Sequence, residues 1–399
     1  MPAPVKASLT AIVLALVASG PVLLAHGQAP KAQPTQKASN EKDKSDGAMK
    51  RADNDMRAVL ESLQKLGAKP LSTLTVEQAR AQPTPADAVK AVIAERSKKP
   101  AASNVRKENV MYQGAAGQLP ARIYTPARST KQGQPDTVLP VIVYYHGGGW
   151  VIADLDTYDA SAEALAQKAN AIVVSIEYRK APEHKFPAAH EDSFRAYQWA
   201  LANAQKWGGD PQRVAVAGES AGGNLAINMA IMARDKNVQA PIHMLLVYPV
   251  AGTDTTTASY KENATAAPLG RTDMEWFIEK VLADPAEKNN PMLDLVGKAD
   301  LARLPSATVI TAQIDPLRSE GRALADKLRR AGSRVTYQNY DGVAHEFFGM
   351  AAVVADAARA QALAVRELRQ AFQQSAATGG GNGSSGNASS EPKKAPKQR

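Results

Sequence analysis

Gly218-Glu219-Ser220-Ala221-Gly222 stands between an apolar run, residues 213–217, and an Ala/Asn/Leu/Met-rich segment, residues 223–234. The run reads as a buried strand and the segment after it as a helix. A serine with glycine two residues before and two after, at a strand-to-helix turn, is the nucleophile-elbow pattern. Such a turn strains the serine backbone, admits only small neighbours, and lifts the hydroxyl out at the C-terminal edge of a sheet. Alone the pattern is weak, since average Gly and Ser frequencies produce it by chance in roughly one in eight chains of this length. Its meaning depends on whether the rest of the chain supplies the partners that a reactive serine needs.

Upstream, residues 138–145 are almost all apolar, as in a strand buried on both faces. His146-Gly147-Gly148-Gly149-Trp150 follows directly. Three successive glycines let backbone approach a ligand closely and aim N–H groups into one cavity. Acyl transfer needs such donors where an oxyanion develops, and His-Gly-Gly-Gly is the oxyanion loop of many esterases. A flexible glycine turn is the plainer reading of the same residues. Downstream, a base and an orienting acid should come in the order Ser, Asp or Glu, His. Of six histidines, His26 falls in a leader, His146, His184 and His190 precede the serine, and His243 opens a strand. His345 remains, in the segment from Asp341 to Phe348 between the last strand and the last helix. For the acid, Asp315 closes a strand just before Pro316. Asp341 competes with it, but lies four residues before His345 on one loop and is better placed for a turn with Gly342.

Around these motifs the periodicity is that of an α/β fold. Strands are expected at 110–112, 119–124, 138–145, 172–176, 213–217, 242–247, 307–311 and 334–340. Helices are expected at 191–205, 223–234, 319–330 and 348–373. The rhythm predicts a mostly parallel sheet with helices on both faces. Helical stretches at 53–66, 76–81 and 86–96 precede any strand, and an insert at about 254–304 carries one amphipathic helix at 273–282. Together they predict a helical cap over the C-terminal sheet edge.

The ends read differently. Lys6, the apolar stretch 9–18, Gly20-Pro21 and the small residues of Ala25-His26-Gly27 form a secretory leader, residues 1–27, rather than a membrane span. Residues 28–50 read as a disordered linker and 376–399 as a disordered Gly/Ser/Lys tail, leaving 51–375 as the folded domain. Six of the net nine positive charges lie in these end segments, so the body has no basic stripe and nucleic-acid binding is not expected. With no cysteine, disulfides, thiol catalysis and Cys-ligated metals are excluded; no metal or cofactor is expected.

Five ordered stretches now resemble the hormone-sensitive-lipase branch of the α/β-hydrolase carboxylesterases. They are His146–Trp150, Glu177–Asp192, Gly218–Ala226, Thr311–Gly321 and Tyr340–Phe348. The resemblance spans about residues 53–375. It implies Ser220 as nucleophile, His345 as base and Asp315 as orienting acid, with oxyanion donors at Gly148, Gly149 and Ala221. His146 and Gly147 would shape the loop, and residues 178–184 would be scaffold. The implied activity is hydrolysis of short-chain carboxylic esters through an acyl-enzyme, and the leader adds the expectation of a secreted or periplasmic enzyme. The expected partner is a small-molecule ester, and a homodimer is left open. A lipase, an amidase or peptidase on the same triad, or a non-catalytic binding relative are the rival readings. Two departures stand out: Glu346 occupies a position where the family usually has Gly, and Glu219 one where many members have Asp.

Overall fold

The structure, a computed structural model, describes residues 47, 49–97, 103–127 and 138–379. The expected leader, nearly all of the linker and most of the tail lie outside the described residues. Residues 49 and 50, read from sequence as linker, are helical, and Met49 packs against the core.

Helix α1 (Asn54–Lys65), α2 (Val76–Ala81) and α3 (Pro85–Glu95) come first. Thr75 and Thr84 begin α2 and α3 with reciprocal capping bonds to Gln78 and Asp87, and Pro85 takes the first helical position, where no N–H is needed. Strands β1 (Val105–Gln113) and β2 (Gln118–Pro126) form an antiparallel hairpin closed by residues 114–117. The chain then alternates: β3 (Leu139–Tyr145), α4 (Asp159–Ala169), β4 (Ile172–Ile176), α5 (Ala188–Asn203), β5 (Gly209–Glu219), α6 (Ala221–Asp235) and β6 (His243–Val247). An insert with α7 (Ala258–Glu262) and α8 (Arg271–Val281) precedes β7 (Ser306–Ile314), α9 (Arg318–Arg330), β8 (Val335–Ala344) and α10 (Ala355–Gly379).

These strands make one eight-stranded sheet in the order β1-β2-β4-β3-β5-β6-β7-β8. It is parallel from β4 to β8, and β2 joins β4 antiparallel. Residues alternate between its faces: Val141, Val143 and Tyr145 enter the core beneath α5, α6 and α9, while Ile142 and Tyr144 enter the core beneath α4 and α10. The chain steps from β3 outward to β4, then returns past β3 to β5. That reversal leaves a crevice beyond the carboxyl ends of β3 and β5, the usual ligand position in such sheets. The glycine loop follows β3 and the serine elbow follows β5.

The expected cap forms in part. The turn Leu71–Thr73 meets α8, where the Ser72 amide donates to Asp273 (3.0 Å) and the Ser72 hydroxyl meets that of Thr272 (3.2 Å). Helices α1 and α3 pack instead on one another and against the sheet end near β8 and the turn Phe347–Met350. Helix α4 has no counterpart in the expected elements. The final helix begins at Ala355 rather than 348, because Phe347–Met350 forms a separate 3-10 turn. Among the described residues no helix is long and apolar enough to cross a membrane.

Candidate active site

Ser220 sits between β5 and α6 with φ 57° and ψ −120°. This is a strained backbone for a residue with a side chain. Three bonds hold it: its amide donates to the Val247 carbonyl (2.9 Å), and its carbonyl accepts from the amides of Val250 (3.1 Å) and Asn224 (3.2 Å). The flanking glycines are steric requirements. A methyl group at Gly218 would overlap the Gly222 carbonyl, and one at Gly222 would overlap the Tyr145 carbonyl. The elbow therefore rests directly on the end of β3.

The three residues expected to form a triad meet here. Ser220 Oγ lies 3.0 Å from His345 Nε2, and His345 Nδ1 lies 2.8 Å from Asp315 Oδ2. A carboxylate accepts, so the ring proton sits on Nδ1 and the Nε2 lone pair faces the serine. Asp315, fully buried at the end of β7, is held from two sides. Its Oδ1 accepts from the Leu317 amide (2.8 Å), and its carbonyl accepts from Asn263 (3.1 Å). Asn263 is in turn bound by Arg51 (2.7 Å), which also pairs with Glu262. Burial alone would lower the basicity of His345. The charge and hydrogen bond of Asp315, with Glu346 and Glu219 nearby, outweigh it and hold the imidazole above its ordinary value.

The glycine loop lies against the elbow. Among the described residues, the amides of Gly148, Gly149 and Ala221 donate to no acceptor. Ala221 opens α6, where a helix leaves its first N–H groups free. Gly148 and Gly149 have φ of 92° and 58°, and a side chain at Gly149 would overlap the Phe277 ring of α8. The loop is fixed from below by His146, whose Nδ1 donates to the Gly147 carbonyl (2.8 Å) and whose ring stacks on Tyr178 at 4.3 Å. The Tyr178 hydroxyl donates to the His146 carbonyl (2.9 Å). The segment expected as scaffold thus carries the loop.

Sequence reasoning missed the buried polar shell behind these groups. Glu219 points inward, where its carboxylate accepts from the hydroxyls of Tyr144 (2.5 Å) and Tyr248. Burial, with Glu346 nearby, raises its carboxyl to about 7 despite those bonds. Asn224 accepts from His190 Nε2 (2.9 Å) and donates to the carbonyls of Val250 and Met292, fastening α6 beneath the elbow. Glu320 accepts from the amides of Ala251 and Gly252 beyond β6. The available signal was position alone, because Tyr144 and Tyr248 stand at strand ends on the edge that carries the serine. His243 bonds Ser306 and Thr308 and lies away from the site, as expected.

Residues 142–349 match the alpha/beta hydrolase fold family. Carboxylesterase NlhH of Mycobacterium tuberculosis is 40% identical over 271 residues, covering 67% of this chain and 83% of the relative. The chain belongs to the hormone-sensitive-lipase-like family of α/β-hydrolase carboxylesterases. Like that family's members it is a carboxylic ester hydrolase. An ethyl acetate hydrolase of Pseudomonas putida is 33% identical, covering 63% of this chain and 78% of its own. The solved esterase of Pyrobaculum calidifontis aligns with a TM-score of 0.67 at 34% identity, over 78% of this chain and 96% of that one. This family's sheet is the frame on which the serine, histidine and aspartate converge here.

Proposed function

We propose that this esterase hydrolyses short-chain carboxylic esters through an acyl-enzyme. Ser220 attacks the ester carbonyl while His345 takes its proton, and the imidazolium is stabilised by Asp315. The amides of Gly148, Gly149 and Ala221 hold the oxyanion of each tetrahedral intermediate. His345 then protonates the leaving alcohol, and in the second half activates water to release the acid. The observation that carries this reading is the unbroken chain of bonds from Ser220 Oγ through His345 to Asp315, at 3.0 and 2.8 Å, on a strained elbow.

Preference for short acyl groups is supported by the ring of Phe277, which lies against Gly149, and by the relative named for ethyl acetate hydrolysis. The leader read at 1–27 supports an exported enzyme, secreted or periplasmic, which cell fractionation tests. The catalytic test is Ser220→Ala. Its kcat/KM on a short-chain aryl ester is expected to fall by roughly a thousandfold or more. A variant that kept the wild-type rate would overturn the assignment. On an acyl-chain series, a rate maximum at long chains would overturn the substrate class.

A further inference from the structure

Glu346 follows the base directly and adopts φ 72°, a left-handed backbone that residues with side chains seldom take. Its side chain is 21% exposed and its Oε1 lies 3.8 Å from His345 Nε2, the atom that faces Ser220. The same oxygen accepts a 2.6 Å bond from the Tyr158 hydroxyl. That hydroxyl occupies the space where a side chain at Gly147 would stand. One carboxylate oxygen therefore lies beside the base on one side and, through a single hydroxyl, meets the glycine loop on the other.

Resting on the Ser220–His345 reading above, we propose that Glu346 is a positioning residue for ester hydrolysis. Its carboxylate lies beside the base, places a second anion near the imidazolium that forms during attack, and holds the Tyr158 hydroxyl against the glycine loop. Several groups share this space. Asp315 reaches it from β7, Glu219 from β5, Tyr144 from β3, and Tyr248 from the end of β6. Tyr158 reaches it from the start of α4, with His146 and Tyr178 beyond. Burial, with Asp315 nearby, holds the Glu346 carboxyl above its ordinary value, and His345 and the Tyr158 bond offset this only in part. Asp315 remains the principal anion for the ring, so Glu346 adjusts a triad that is already complete. The left-handed backbone supports a selected acid, because glycine would occupy this position without strain.

The test is the pH profile of kcat/KM in Glu346→Gln, Glu346→Gly and Glu346→Asp, with Ser220→Ala in the same assay. Removing the anion lets the imidazole lose its proton more readily, so the acid limb moves to lower pH in the Gln and Gly variants. The Asp variant, which keeps the charge, retains the wild-type limb. Tyr158→Phe is expected to lower kcat by roughly tenfold with KM little changed, since Glu346 loses the bond that holds it while the binding surface stays. Glu346→Gly suits the backbone and guards against a Gln variant that fails to fold. Superimposable limbs in wild type and both neutral variants would overturn the proposal. Hydrolysis that survives Ser220→Ala would instead sink the underlying triad reading, and this inference with it.

Discussion

At Gly222 a single hydrogen in place of a side chain decides whether elbow and sheet can meet. A methyl group there would run into the carbonyl oxygen of Tyr145, which is main chain and has no rotamer through which to escape. Gly222→Ala is expected to cost about 3 kcal/mol, as overpacking against fixed atoms does, with a matching drop in the urea midpoint. An unchanged midpoint would show that the elbow can shift away from β3. Ser220, Asp315 and His345 were legible because each lies in a short motif at the carboxyl end of a strand or beside one. In sequence Glu219 shows only as a departure from the Asp of many family members, and its inward carboxylate under two tyrosine hydroxyls is not legible. Tyr144, Tyr158 and Tyr248 come from separate segments, so no local spacing announces that they share a pocket.

Among elements, α2 shows how a short helix can govern a distant loop. Arg80 donates to the carbonyls of Val151 (2.9 Å) and Ala181 (2.9 Å) and forms a two-bond pair with Glu183. Val151 in turn donates to the Gly148 carbonyl (3.0 Å), so this guanidinium braces the far side of the glycine loop. Arg80→Ala is expected to cost about 2 kcal/mol by leaving two carbonyls without a charged donor, and to lower kcat severalfold. Arg80→Lys should not restore it, because a point charge cannot serve three directions. Full activity in the Lys variant would reduce the contact to simple charge. The strands of the sheet were legible from their apolar runs, though most proved longer at their ends. Helix α4 was missed because its buried stripe, Ala162, Leu165, Ala166 and Ala169, has helical spacing but only one large apolar residue. The last helix was read too early because Phe347 and Phe348 extend its apolar pattern through a turn.

At the scale of the whole molecule, buried ionisable groups set how stability responds to pH. His190 and His243 are driven down to about 4 by burial, so the folded chain holds them neutral. Between pH 6.5 and 4 the unfolded chain binds those protons and the folded one does not, so each histidine withdraws stability as pH falls through that window. Glu219, raised to about 7, acts oppositely: its contribution is full below the ordinary carboxylate range and is lost as pH rises toward 7. The destabilisation caused by His243→Asn should therefore shrink by roughly 3 kcal/mol on going from pH 6.5 to 4. Urea unfolding of both proteins across that range checks it, and a pH-independent difference would show that His243 titrates alike in both states. The fold also fixes where the chain tolerates cutting. Arg51 grips Asn263, whose amide holds the backbone of Asp315, and the Asp53 amide bonds Gly342 (2.8 Å) three residues before His345. A protease that trims residues before 49 leaves these two ties whole. A nick just past 53 leaves both held to the rest of the chain by non-covalent contacts alone, so that Asp315 and His345, near the carboxyl end, depend on a segment at the amino end.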